Sequence, residues 1–288
     1  MGFRIVSDSS SNVLSMGEFN YTTVPLKVVA EKEYVDNAAL DLAGMMEDLR
    51  NHKGKSGSSC PNVGEWLEAF GGAEEIFCVT ISRNLSGSYN AAMQAADAYM
   101  EEHPGRKVFV LDSLSAGPEL AMLTEKIFSC EAAGDDFETT KQKVLEYQNH
   151  VHTAFCLESM LNLARNGRVP MAVAKIAGML GIRVVGSAQD GQVTPVHKPR
   201  GAKKATQAIV EMMKERGFRD GNILRVAHCY GEEPALALRD AILAEFPNTR
   251  FMLEHTTALC SFYAEAGGLI IGFEGAFNTE NDNGKYYH

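Results

Sequence analysis

Apolar residues along this chain recur in two alternating rhythms. FRIVSD, TTVPLKVVA, EEIFCVTIS and KVFVLDS are short β-rich runs. Between them, Leu42, Met45, Met46 and Leu49 fall on one face of a helix, and an alanine-rich helical stretch begins at about residue 88. Strands that alternate with helices predict βα units around a largely parallel sheet. Gly134-Asp135-Asp136 separates two further helical stretches, and the pattern changes near His150, just before HTAFCLES.

The second half has a different character. Asp190-Gly191 stands between RVVGSAQ and QVTPVH, a strong hairpin signal that requires antiparallel pairing. Ala205, Ala208, Ile209, Met212 and Met213 trace an amphipathic stripe, and NILRVAHCY and RFMLEHTTAL follow as strands. The expected fold is therefore α/β with two domains. Residues 1–150 form an N-terminal, mostly parallel βα sheet domain, and residues 151–288 a C-terminal α/β domain with a mixed sheet. The polar tail FNTENDNGKYYH is expected to fray.

Composition narrows the function classes. With 288 residues, 45% apolar and 22% charged, the chain is an ordinary globular one. Its net charge of −10, with no basic block, argues against nucleic acid as a partner. MGFRIVSDSS reads as a first strand rather than a signal peptide, and Lys175 and Arg183 interrupt the best apolar run, so no transmembrane segment is expected. Six scattered cysteines without a CxxC pair fit a reduced, cytoplasmic setting better than disulfides or zinc. His150 and His152 would share one face of a strand, but with no third ligand nearby a structural or surface role is expected, and no metal.

Three strand-to-helix junctions end in small hydroxyl or acidic residues: Ser7-Asp8-Ser9, Ser86-Gly87-Ser88 and Asp112-Ser113. A parallel sheet gathers such junctions on its carboxyl edge, where ligands bind. Asp8 and Asp112 are expected to be helix N-caps. The Ser-Gly-Ser turn is more informative, because glycine admits close approach and helix amides with flanking hydroxyls bind anions. Ser86 as a nucleophile lacks the G-x-S-x-G elbow, and a phosphate cradle lacks GxxxxGK[ST]. A seat for one anionic oxygen pair remains. The stretch GSSCPNVGEW is hydroxyl-rich too and reads as a loop with Pro61 near a helix start.

Taken in order, IVSDSSSNV, VPLKVVAEKEYVDN, SSCPNVGEW, ISRNLSGSYNAA, VLDSLSAGPEL, ARNGRVP and KPRGAKKA resemble the motifs of the DegV family over almost the whole chain. ISRNLSGSYNAA is similar to the family's LSGTY motif, with Ser88 for threonine. The resemblance implies a lipid-binding carrier, without a catalytic residue or cofactor, that acts in phospholipid metabolism. It would hold the carboxylate of a long-chain fatty acid on Ser58, Ser86 and Gly87, with the tail in an apolar tunnel. A separate fatty acid kinase subunit would then phosphorylate the bound acid. Where the family has a histidine ligand near the C-terminus, FYAEAGGLIIGF offers Tyr263, either a neutral donor or a packing residue. Arg168 and Arg200 fall on positions linked to partner contact, with Lys203 and Lys204 beside Arg200; a solvated face is the alternative. A serine hydrolase using Ser86, and a small-molecule kinase or phosphocarrier, are the competing readings.

Overall fold

The first apolar run becomes β1 (Arg4–Asp8), buried after Arg4, and a 3-10 turn at Ser9–Ser11 follows. In this computed structural model, which describes residues 3–17 and 20–277, the run TTVPLKVVA does not remain one strand. It divides at Pro25 into β2 (Tyr21–Val24) and β3 (Lys27–Val29). Proline has no N–H for a ladder, and the next amide, Leu26 N, turns away to Ser9 Oγ at 2.9 Å. β2 pairs with β1 in parallel, whereas β3 joins β4 (Glu33–Val35) and β5 (Gly57–Ser59) in a small antiparallel sheet. The expected Gly-Ser-Ser loop is thus a strand, with Ser58 opposite Val28.

Helix α1 (Leu42–Asn51) carries the Leu42, Met45, Met46 and Leu49 stripe, and α2 (Val63–Phe70) follows Pro61. Asn62 and Glu65 close a capping box at the start of α2. The remaining elements of this unit are β6 (Glu75–Thr80), α3 (Ser88–Glu102), β7 (Lys107–Asp112), α4 (Pro118–Ala132) and α5 (Phe137–Gln148). The main sheet has the order β2-β1-β6-β7 and is parallel throughout.

Parallel sheets need both faces covered, and the phase of β6 shows how this is done. Ile76 and Cys78 pack with Trp66, Phe70, Tyr89, Ala92, Ala95 and Ala96 from α2 and α3. Phe77, of opposite phase, meets Phe3 at 4.9 Å and Phe137 of α5 at 4.6 Å.

The second unit contains β8 (Val151–Leu157), α6 (Leu161–Arg165), α7 (Met171–Ala177), β9 (Val184–Gln189), β10 (Gln192–His197) and α8 (Ala202–Glu215). β11 (Ile223–His228), α9 (Glu232–Glu245), β12 (Arg250–His255), α10 (Ala258–Ala264) and β13 (Leu269–Glu274) complete it. Its sheet, in the order β10-β9-β8-β13-β11-β12, is mixed. β11 and β12 are parallel, and the other pairs antiparallel. Asp190 (φ 47°) and Gly191 (φ 69°) both lie in the left-handed region, as the tight hairpin between β9 and β10 requires. Ala205, Ile209, Met212 and Met213 of α8 are buried with Phe218, Leu224, Val226 and Phe273.

Of the described residues, 3–17, 20–116, 120–148 and 257–259 form the first unit, and 117–119, 149–256 and 260–277 the second. Within the first, buried Asp36, from the EYVDN turn, accepts hydrogen bonds from Ala258 N (2.7 Å), Leu259 N (3.2 Å) and Thr257 Oγ1 (3.2 Å). The tail beyond Phe277 lies outside the described residues.

His152 is buried and His150 half-buried. His152 Nε2 lies 2.9 Å from Ala276 O with its ring stacked on Phe273, and His150 packs on Phe277. All six cysteines are free thiols, and burial pushes the Cys156 thiol up to about 11. Among the described residues, no three His, Cys, Asp or Glu side chains are grouped to hold a metal, and no helix is long and apolar enough to cross a membrane.

Gly186 tests the register of the second sheet. It pairs with Phe155 and Pro195, and an added Cβ would stand 2.2 Å from Thr194 O and 2.4 Å from Phe155 Cζ. Gly186→Ala is expected to cost about 1–3 kcal/mol in urea denaturation; an unchanged midpoint would contradict this packing.

Candidate functional site

The parallel register aligns the carboxyl ends of three strands. Ser7 is opposite Val79, and Thr80 opposite Asp112, so Asp8, Thr80 and Asp112 emerge on one edge. The loop from Ile81 to Gly87, between β6 and α3, is built on this edge. It folds back on itself: Leu85 N and Ser86 N donate to Ser82 O at 3.0 and 3.1 Å, and Asn84 N donates to Ser82 Oγ at 3.1 Å.

Two fully buried carboxylates hold it. Asp8 Oδ2 accepts from Ile81 N at 2.9 Å and from Ser88 Oγ at 2.7 Å. Its other oxygen accepts from Ser10 N at 3.2 Å, the expected cap of the short 3-10 turn, and from Ser10 Oγ at 2.5 Å. Asp112 departs from expectation. The helix that follows begins only at Pro118, and Asp112 instead takes Arg83 N (3.2 Å), Leu114 N (3.1 Å) and the Arg83 guanidinium. That guanidinium also lies over the Tyr89 ring, 4.2 Å from its centroid. Burial pushes both carboxyls up from their ordinary values. The Ser10, Ser88 and Ile81 donors oppose this at Asp8, and Arg83 and Leu114 at Asp112.

The Ser86-Gly87-Ser88 turn opens α3. Gly87 is the N-cap residue and, having no side chain, makes no cap hydrogen bond of its own. Ser86 Oγ accepts Ser88 N at 3.3 Å, leaving its hydroxyl hydrogen uncommitted among the described residues. A Cβ built on Gly87 would stand 3.1 Å from Cys60 Sγ. Cys60 directly follows β5, so the strand end that carries Ser58 and the turn that carries Ser86 and Gly87 are neighbours. Ser58 and Ser86 are half-buried, and Gly87 is exposed. No histidine hydrogen-bonds Ser86 among the described residues, so the acyl-transfer pairing that a serine nucleophile needs is missing there.

The other candidates lie in the second unit. Tyr263, on α10, has its ring 4.8 Å from that of Phe262, and the Arg168 guanidinium lies 5.6 Å from its centroid. Arg168 Nη1 donates to Asn166 O at 2.6 Å. These two residues, assigned separate roles from sequence, are in contact. Arg200 is exposed and bridges Ile182, in the segment that carries exposed Met179 and Leu180.

Sequence reasoning passed over Cys60 and Arg83. Cys60 was visible inside SSCPN, but only the fold brings its sulfur to Gly87. Arg83 has no local signal, since its partner Asp112 is 29 residues away.

A parallel α/β unit in one chain with a mixed-sheet unit is a fold shared with known proteins. The family model described as uncharacterised protein, DegV family, matches residues 2–274. This chain belongs to the DegV family. A DegV domain-containing protein of Streptococcus pneumoniae strain R6 is 37% identical over 280 residues, covering 95% of this chain and 99% of the relative. The S. pneumoniae fatty acid kinase (Fak) B3 protein, solved loaded with linoleic acid, superposes with a TM-score of 0.92 at 37% identity, covering 95% of this chain and 99% of that one. A DegV family protein of Eubacterium eligens, solved loaded with heptadecanoic acid, gives 0.92 at 36% identity and the same coverage.

The Gly87–Cys60 approach predicts a coupled pair. Gly87→Ala is expected to destabilise the protein, and Cys60→Ala to relieve that cost, with an interaction energy of about 0.5–1 kcal/mol in a double-mutant cycle. Additive effects would show that the two turns do not touch.

Proposed function

We propose that this protein binds a long-chain fatty acid and presents its carboxylate to a partner kinase. The observation that carries the reading is the adjacency of β5 and the Ser86-Gly87 turn, marked by the 3.1 Å between Cys60 Sγ and a Cβ built on Gly87. It supports Ser58, Ser86 and the Gly87 backbone as one seat. The two relatives solved with heptadecanoic and linoleic acid give the ligand class. The N-terminal domain, residues 1–150, carries this seat, and residues 151–288 form the other domain of the carrier.

The energetics divide the labour. Burying a methylene is worth about 0.8 kcal/mol, so roughly fifteen yield on the order of 12 kcal/mol. Association costs about 4–15 kcal/mol of this. An apolar tunnel thus supplies affinity without recognising an acid. Desolvating a carboxylate costs several kcal/mol, and hydrogen bonds to a charged group return about 1.5–3 kcal/mol each. Two hydroxyls and an amide are the least that suffices, and Ser86 has a hydroxyl hydrogen to give. Tyr263, the neutral donor that the family resemblance offers, lies in the second unit with Arg168 over its ring.

The carrier performs no chemistry of its own. A fatty acid carboxylate is already ionised near neutral pH, so no base is needed before it attacks a phosphoryl group. The partner kinase supplies the nucleotide site, and no cofactor is required beyond the acid. Arg200, exposed beside Met179 and Leu180, suits partner contact, as do Lys203 and Lys204, which are exposed too. The six free thiols fit a cytoplasmic location.

Lipid extraction from the purified protein is expected to release a long-chain acid. Ser86→Ala is expected to weaken binding of that acid roughly 10- to 100-fold, the equivalent of one charge-assisted hydrogen bond. The matched alcohol is expected to lose much less. Equal losses for the two ligands in a calorimetric titration would remove the role of Ser86.

A further inference from the structure

We infer that Asp8 is the positioning residue of this seat: one of its oxygens fastens both the first residue of the seat loop and the residue that closes it. The inference rests on the acid-binding reading above. An aspartate at a strand end ordinarily caps the turn that follows, and Asp8 Oδ1 does this through Ser10. That local role leaves Asp8 Oδ2 unexplained. This oxygen reaches 73 positions along the chain to Ile81 N and 80 positions to Ser88 Oγ. Ile81 is the first residue after β6, and Ser88 the first of α3. The whole stretch that presents Ser86 and Gly87 therefore runs between two bonds to a single atom.

The bonds also form a relay. Ser88 gives its hydroxyl hydrogen to Asp8, which fixes the first residue of the helix. Its backbone amide then donates to Ser86 Oγ at 3.3 Å. Using the oxygen of Ser86 as an acceptor orients that hydroxyl, so that its hydrogen is left for a ligand. The two serines of the Ser-Gly-Ser turn thus divide their work, Ser86 facing the acid and Ser88 the scaffold. Asp112 steadies the same loop at Arg83 through the backbone amide and the guanidinium. A hydroxyl held at both its own turn and its loop's ends is pre-organised, so binding spends little freedom in ordering it.

Ser88 allows the test without removing a buried charge. Ser88→Ala deletes one anchor, and Ser88→Thr keeps the hydroxyl. Amide hydrogen exchange and titrations with the acid and its matched alcohol are measured on the full-length protein. Ser88→Ala is expected to raise exchange at Leu85, Ser86 and Ser88 and to weaken acid binding about tenfold while sparing the alcohol. Ser88→Thr is expected to restore both. Adding Ser88→Ala to Ser86→Ala is expected to cost no further acid affinity, because Ser88 acts through Ser86. Unchanged loop exchange in Ser88→Ala would overturn the inference, and so would additive losses in the double variant, which would make Ser88 a direct ligand. If the wild-type protein binds no acid, the functional reading fails, while the exchange comparison still decides the role of Asp8.

Discussion

A carboxylate sealed from solvent can stay in place only if donors converge on it, and at Asp8 four do so: two from Ser10, one from Ile81 and one from Ser88. The carboxyl edge of the parallel sheet is organised by this requirement. β1 delivers the acid, its neighbour β6 delivers an amide one residue past its end, and α3 delivers a hydroxyl from its first residue. Asp112, at the end of β7, repeats the arrangement with Arg83. The loop between these anchors inherits its shape from them, and the proposed seat is what that shape leaves outward.

The same logic separates affinity from recognition. Greasy surface is plentiful in a chain that is 45% apolar, and burying a long tail is favourable in any channel that admits it. Selectivity for an acid needs neutral donors held where a charge will arrive, since a seat that had to order its hydroxyls on binding would lose much of the gain. Small residues serve this purpose. Glycine at position 87 lets Cys60 close against the turn, and serine brings a donor with little bulk.

Much of the fold was legible in the sequence because its signals are local. The helical stripes, the Asp-Gly hairpin with both residues at positive φ, and the parallel βα rhythm all follow from residues close together in the chain. What escaped depends on distant pairing. β5 is only three residues, Gly57–Ser59, without alternation, and it is a strand because β3 lies beside it. β13 sits antiparallel between β8 and β11, an insertion that no local pattern announces. The site divides in the same way. Ser86 and Gly87 stood out by local pattern and Ser58 by family resemblance alone, whereas the Asp8–Ser88 and Asp112–Arg83 ties join residues 80 and 29 positions apart. Asp112 resembled a cap because aspartate after a strand commonly is one, and only the late start of α4 at Pro118 shows otherwise.

The most direct measurement is carbon-13 NMR of the protein loaded with a fatty acid labelled at its carboxyl carbon. The account predicts a single slowly exchanging resonance with the shift of an ionised carboxylate at neutral pH, displaced when Ser86 loses its hydroxyl. A head group that is protonated at neutral pH, or whose resonance ignores that change, would contradict it.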